Sequence, residues 1–150
     1  NFGAGNKDRV ISTFKYTCII CASYTTLGWL LTLLVPNLFA AIFSGDTALI
    51  EYTSWCMRVY MAGIFAFGFQ ICCQQTFVAL GQAKTSLLLA CLRKLVLLIP
   101  LIFILPLFIE NKVFAVFLAE PISDILAASV TTWMFFTQIK GILERGAKRD

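Results

Sequence analysis

The sequence predicts an all-α membrane protein: four transmembrane helices in an antiparallel bundle. Composition is the first observation. Hydrophobic residues make up 59% of the chain and charged residues 13%, with mean hydropathy +0.84, whereas an ordinary soluble domain is about 25% charged. The second is the layout. Four apolar stretches, bounded by charged or turn residues, run from about Tyr16 to Phe43, Met57 to Leu80, Leu87 to Ile109 and Val113 to Ile139. Each exceeds the roughly 20 residues needed to cross about 30 Å of hydrocarbon. Residues 1–150 thus form a single transmembrane unit, with 140–150 as a polar tail and no soluble domain.

Ahead of the first span, fifteen mostly polar residues begin at Asn1 without a methionine, a charged leader or a cleavage site, so the chain reads as cut from something longer. Gly3-Ala4-Gly5 does not follow a strand or complete a dinucleotide fingerprint and reads as a turn. Along the first span Cys21, Thr25, Gly28, Thr32 and Pro36 recur at helical spacing, a small-residue stripe that admits another helix closely. Pro36 should kink the helix or end its regular hydrogen bonding.

The second span carries Tyr60, Gly63, Phe67, Gln70 and Gln74 on one stripe. Amides in hydrocarbon need partners, and either interhelical hydrogen bonds or a hydrated cavity supplies them. Gln70, Gln74 and Phe67 are therefore candidates for a substrate cavity, where a ring and an amide receive an amphipathic or cationic compound. The third span holds Arg93-Lys94 some six or seven residues from its inner edge, within reach of snorkelling. Short polar connections at Ser44–Thr47, Gly81–Ser86 and Glu110–Lys112 favour antiparallel neighbours.

Charge sets the expected orientation. With both ends cytoplasmic, Lys7, Arg9, Lys15, Lys84, Arg93, Lys94, Lys140, Arg145, Lys148 and Arg149 lie inside, and only Arg58 and Lys112 outside. That asymmetry follows the positive-inside rule for a multi-pass protein of the plasma (inner) membrane. The net charge of +4 is then a matter of topology and of anionic lipid, and no basic face with interleaved aromatics points to nucleic acid. The six cysteines lie mostly in apolar runs and read as small buried hydrophobes. Cys18-Ile19-Ile20-Cys21 has no second pair and the chain has no histidine, so a zinc site lacks half its ligands.

The fourth span contains Glu120-Pro121-Ile122-Ser123-Asp124, two acids four residues apart on one helical face. Intramembrane acids are costly without a partner and are functional hypotheses by default. Counting in from Val113 at 1.5 Å per residue puts Glu120 roughly 10 Å deep and Asp124 roughly 16 Å. Arg93 then differs from Asp124 by about 5 Å in height and from Glu120 by about 11 Å. The expectation is an ion pair between Arg93 and Asp124. Glu120 is left without a cation, either as a protonatable group or as a cap on a helical segment that starts at Pro121.

Three ordered runs carry a family resemblance: Cys73-Gln74-Gln75-Thr76-Phe77-Val78-Ala79-Leu80-Gly81-Gln82-Ala83-Lys84; Arg93 leading to Leu98-Ile99-Pro100-Leu101; and Phe117-Leu118-Ala119-Glu120-Pro121-Ile122-Ser123-Asp124. Together they resemble the last third of a bacterial multidrug and toxic compound extrusion (MATE) transporter. Asn1-Phe2-Gly3-Ala4-Gly5-Asn6 is similar to the loop before the ninth helix of that family. The resemblance implies helices nine to twelve of a twelve-helix, two-lobe antiporter, whose amino-terminal helices are missing partners here. It further implies export of amphipathic or cationic compounds by alternating access, coupled to protons or sodium. Some members carry an acid in the tenth helix, where this chain has Gln70, Gln74 and Gln75, so the coupling ion has no identifiable site. A lipid-linked saccharide flippase of the same superfamily and a small non-transporting four-span protein are the alternatives. Enzymatic chemistry is not expected, because no nucleophile–base pair can be drawn.

Overall fold

The computed structural model of the protein describes residues 1–146. Lys148 and Arg149, and the end of the expected tail, lie outside the described residues. Among those described, all regular structure is helical: α1 (Lys7–Leu34), α2 (Pro36–Ala41), α3 (Thr47–Tyr60), α4 (Ile64–Ala79), α5 (Ala83–Cys91), α6 (Ile99–Phe108) and α7 (Lys112–Gly146). A 3₁₀ turn, Met61–Gly63, joins α3 to α4, and a π-helical stretch, Leu92–Leu98, joins α5 to α6. These combine into four helices long and apolar enough to cross a membrane: Lys7–Leu34, Thr47–Ala79, Ala83–Phe108 and Lys112–Arg145. Each helix begins ahead of its apolar stretch, because the i→i−4 ladder needs no hydrocarbon and polar residues extend it into the interface, whereas the first ends at Leu34, short of the expected Phe43, where the chain breaks before Pro36.

Local chemistry places the breaks. Val35 leaves helical geometry at φ −130°, and Pro36 opens α2 at its first turn, where a missing N–H costs nothing. Asp46 caps α3 by accepting from the Ala48 N–H at 2.9 Å, and Asn111 accepts from Phe114 N–H at 3.0 Å at the head of α7. After α4 the chain turns at Gly81, φ 76°. There Gln82 N–H reaches Phe77 C=O at 2.7 Å and Gly81 N–H reaches Val78 C=O at 3.0 Å, the two bonds of a Schellman ending.

Pro121 does not start a new helical segment. It lies inside the continuous α7, so the expected break at Glu120-Pro121 is absent. A proline is tolerated within a membrane-spanning helix that neighbouring helices pack against. The second span packs its glycine turn directly on the proline: a Cβ on Gly63 would lie 2.8 Å from Pro121 Cα.

Consecutive spans are antiparallel, and the second and fourth run side by side in parallel. Tyr60 meets Phe117 with ring centroids 6.1 Å apart, and Phe77 meets Phe135 at 5.4 Å. The buried core, Cys73, Phe77, Leu80, Leu89, Phe135 and Ile142, sits where α4, α5 and α7 converge, and Phe14 of α1 stacks on Phe135 at 4.4 Å. On its other face α4 meets α1, where a Cβ on Gly68 would collide with Thr25 Oγ1 and lie 3.0 Å from Cys21 C=O. The Cys21/Thr25 part of the small-residue stripe is therefore a close helix seam. Gly28 on that stripe has nothing within 4 Å.

Candidate functional site: a charge network between the third and fourth spans

The π-helical stretch Leu92–Leu98 positions the basic pair. Pro100, just beyond it, has no N–H for the carbonyl four residues earlier, and the i→i+5 pattern widens the turn. A wider turn reduces the angle between successive side chains, so Arg93 and Lys94 both face α7. Ser123 Oγ donates to the Arg93 carbonyl at 2.9 Å, which satisfies a backbone acceptor in this irregular segment.

Arg93 Nη1 donates to Asp124 Oδ1 at 2.5 Å, and its guanidinium lies over the Phe67 ring, 4.2 Å from the centroid. Three spans thus meet at one cation: α4 supplies a ring, α7 a carboxylate, and the third span the charge itself. Glu120 is not isolated. Lys94 Nζ lies 2.7 Å from Glu120 Oε1, and Arg93 Nη1 lies 4.0 Å from the same oxygen. Depth relative to Arg93 does not reveal this pair, because the ammonium sits on the next residue. The signal was in the sequence: two adjacent cations opposite two acids one turn apart.

Two positive and two negative side chains therefore form a neutral network in the bundle. Its two branches differ in exposure. The side chains of Arg93, Asp124 and Glu120 are 15%, 8% and 10% exposed, whereas that of Lys94 is 46% exposed. Charges in a low dielectric interact strongly and are costly when unpaired, so the Arg93–Asp124 branch is a rigid tie. In the Lys94–Glu120 branch the acid is equally enclosed and only the lysine is exposed.

The three cavity candidates are placed as follows. Phe67 lies beneath the Arg93 guanidinium. Gln74 Nε2 donates to Ser86 C=O at 2.9 Å, tying the second span to the third. Gln70 is buried, and its Oε1 has no hydrogen-bond partner among the described residues. A groove of about 550 Å³ lies elsewhere, at the foot of α1 and α4, with Phe14, Thr13, Thr17, Cys72, Gln75 and Thr76 in its wall. The cysteines are not uniformly buried: Cys56, Cys72 and Cys73 are, while Cys18, Cys21 and Cys91 are partly exposed. Cys18 faces Cys72 rather than Cys21, with Sγ atoms 3.0 Å apart. The linear spacing that drew attention to Cys18 and Cys21 could not show a partner 54 residues away.

Four apolar spanning helices with a buried, compensated charge network define a multi-pass membrane protein. The family model MatE matches residues 1–104, and the chain belongs to that family, which consists of membrane transporters rather than enzymes. No curated protein and no solved structure matches the chain. The match ends within α6, so Glu120 and Asp124 on α7 lie beyond the matched residues.

Proposed function

We propose that the chain forms the carboxy-terminal helices of a twelve-helix, two-lobe antiporter that exports drugs and other amphipathic or cationic organic compounds by alternating access. Proton or sodium entry drives it. In this reading the protein lies in the plasma membrane with both ends cytoplasmic, and lipid and the amino-terminal helices of the same transporter cover its exposed apolar faces. The family match over residues 1–104 carries the reading. The groove at the foot of α1 and α4 is consistent with it: about 550 Å³ falls within the range of small-molecule sites, and its wall combines a ring with neutral hydrogen-bonding groups.

Gln70 and Gln74 would offer amides, and Phe67 a ring, to a compound when the second and third spans part. Glu120, paired with Lys94 in the charge network, is the candidate protonatable group. The test is efflux of ethidium from proteoliposomes containing the transporter that carries this chain. Collapse of the coupling-ion gradient, proton or sodium, should slow efflux; a rate indifferent to both would remove the antiport reading.

A further inference from the structure

The structure assigns a modification site to Cys18 and Cys72: a dithiol that a low-molecular-weight disulfide closes into a covalent staple between the first and second spans. Their Sγ atoms lie 3.0 Å apart across the seam between α1 and α4. Among the described residues no other two cysteines make such a contact. A second observation sets the pair beside a groove. Cys72 forms part of the groove wall together with Thr13, Thr17 and Gln75, and Cys18 is itself partly exposed. Cys18 also follows the charged Lys15 by three residues, about 4.5 Å along the helix at 1.5 Å per residue. A small reagent entering from the polar edge therefore meets partly exposed Cys18 within about one helical turn, and buried Cys72 is reached through Cys18.

The chemistry is thiol–disulfide exchange. Cys18, the more exposed thiol, loses its proton to solvent and attacks one sulfur of the reagent. One reagent thiol leaves, and a mixed disulfide forms on Cys18. Cys72 then loses its proton, attacks Cys18 Sγ and expels the second reagent thiol. Both cysteines are oxidised, and the reagent disulfide is reduced to two thiols. The second step is intramolecular between groups already in contact, so it outruns attack by another reagent molecule.

The staple falls where it matters mechanically. α1 contains no buried residue, and its principal neighbour is α4. A Cys18–Cys72 bond would fix the least embedded span to the core and narrow the groove between them. This site does not depend on the transport reading.

The probe is 4,4′-dithiodipyridine, applied to the folded chain in lipid nanodiscs and followed by peptide mass spectrometry. The expected product is a Cys18–Cys72 linked peptide, two hydrogens lighter than the sum of its parts and free of pyridyl label, cleaved by dithiothreitol. In C18A the reaction should stop with Cys72 unmodified or singly labelled, and in C72A with a stable pyridyl label on Cys18. C21A and C73A should form the linked peptide as the unsubstituted chain does. Pyridyl label retained on both Cys18 and Cys72, a bond from either to Cys21 or Cys73, or two unreacted thiols in the unsubstituted chain would each overturn the assignment. That comparison needs no variant to fold.

Discussion

Gly63 and Pro121 are in backbone contact: a Cβ built on the glycine would stand 2.8 Å from Pro121 Cα and 3.0 Å from its carbonyl oxygen. Neither atom can move like the end of a side chain, so any larger residue must push the second and fourth spans apart. Gly63→Ala should destabilise the bundle by about 1–3 kcal/mol, the usual cost of overpacking. Gly28→Ala, with open space around it, is the matched control and should be neutral or slightly stabilising. Thermal unfolding in detergent compares the two, and equal melting temperatures would contradict the contact.

Arg93 and Asp124 should behave as a coupled pair. Removing one partner leaves a buried charge unmatched, at a cost of about 3–5 kcal/mol. Asp124→Asn and Arg93→Gln should each destabilise strongly, and the double variant should lose less than their sum. A double-mutant cycle in SDS unfolding measures the coupling; additive losses would show that the two residues act independently.

The Lys94–Glu120 branch should be weaker. With the Lys94 side chain 46% exposed in the bundle and that of Arg93 only 15%, the lysine is less enclosed by the protein, and Lys94→Met should cost less than loss of the buried Arg93–Asp124 pair. The same unfolding assay should therefore rank Lys94→Met well below Arg93→Gln. A reversed order would move the structural tie to the lysine.

Gln70 and Gln74 of the second span should respond differently to removal. Gln74→Leu deletes the donor to Ser86 C=O and should lose about 1 kcal/mol. Gln70→Leu deletes a buried oxygen with no hydrogen-bond partner among the described residues, so its effect should be neutral or stabilising. Melting temperatures of the two variants, measured side by side, decide this.

Composition and the spacing of apolar stretches were enough to define a four-span helical membrane protein, because hydrocarbon leaves a backbone few alternatives to the helix. Pro36 announced its own break, since a missing N–H acts locally. Arg93 and Asp124 could be matched by depth, because rise per residue is fixed once a stretch is helical. Pro121 shows where local reasoning ends. Its tendency to interrupt a helix is real, yet α7 runs through it, packed against a glycine turn 58 residues earlier. Lys94 shows the same for charge. Whether it or Arg93 reaches Glu120 depends on the helical phase of Leu92–Leu98, and the π-helical widening there is not encoded in hydropathy. Cys18 and Cys72 meet only because α1 lies on α4. Element type was set by short-range chemistry and the membrane; partners across the bundle were set by rotation and register, which arise only when helices pack.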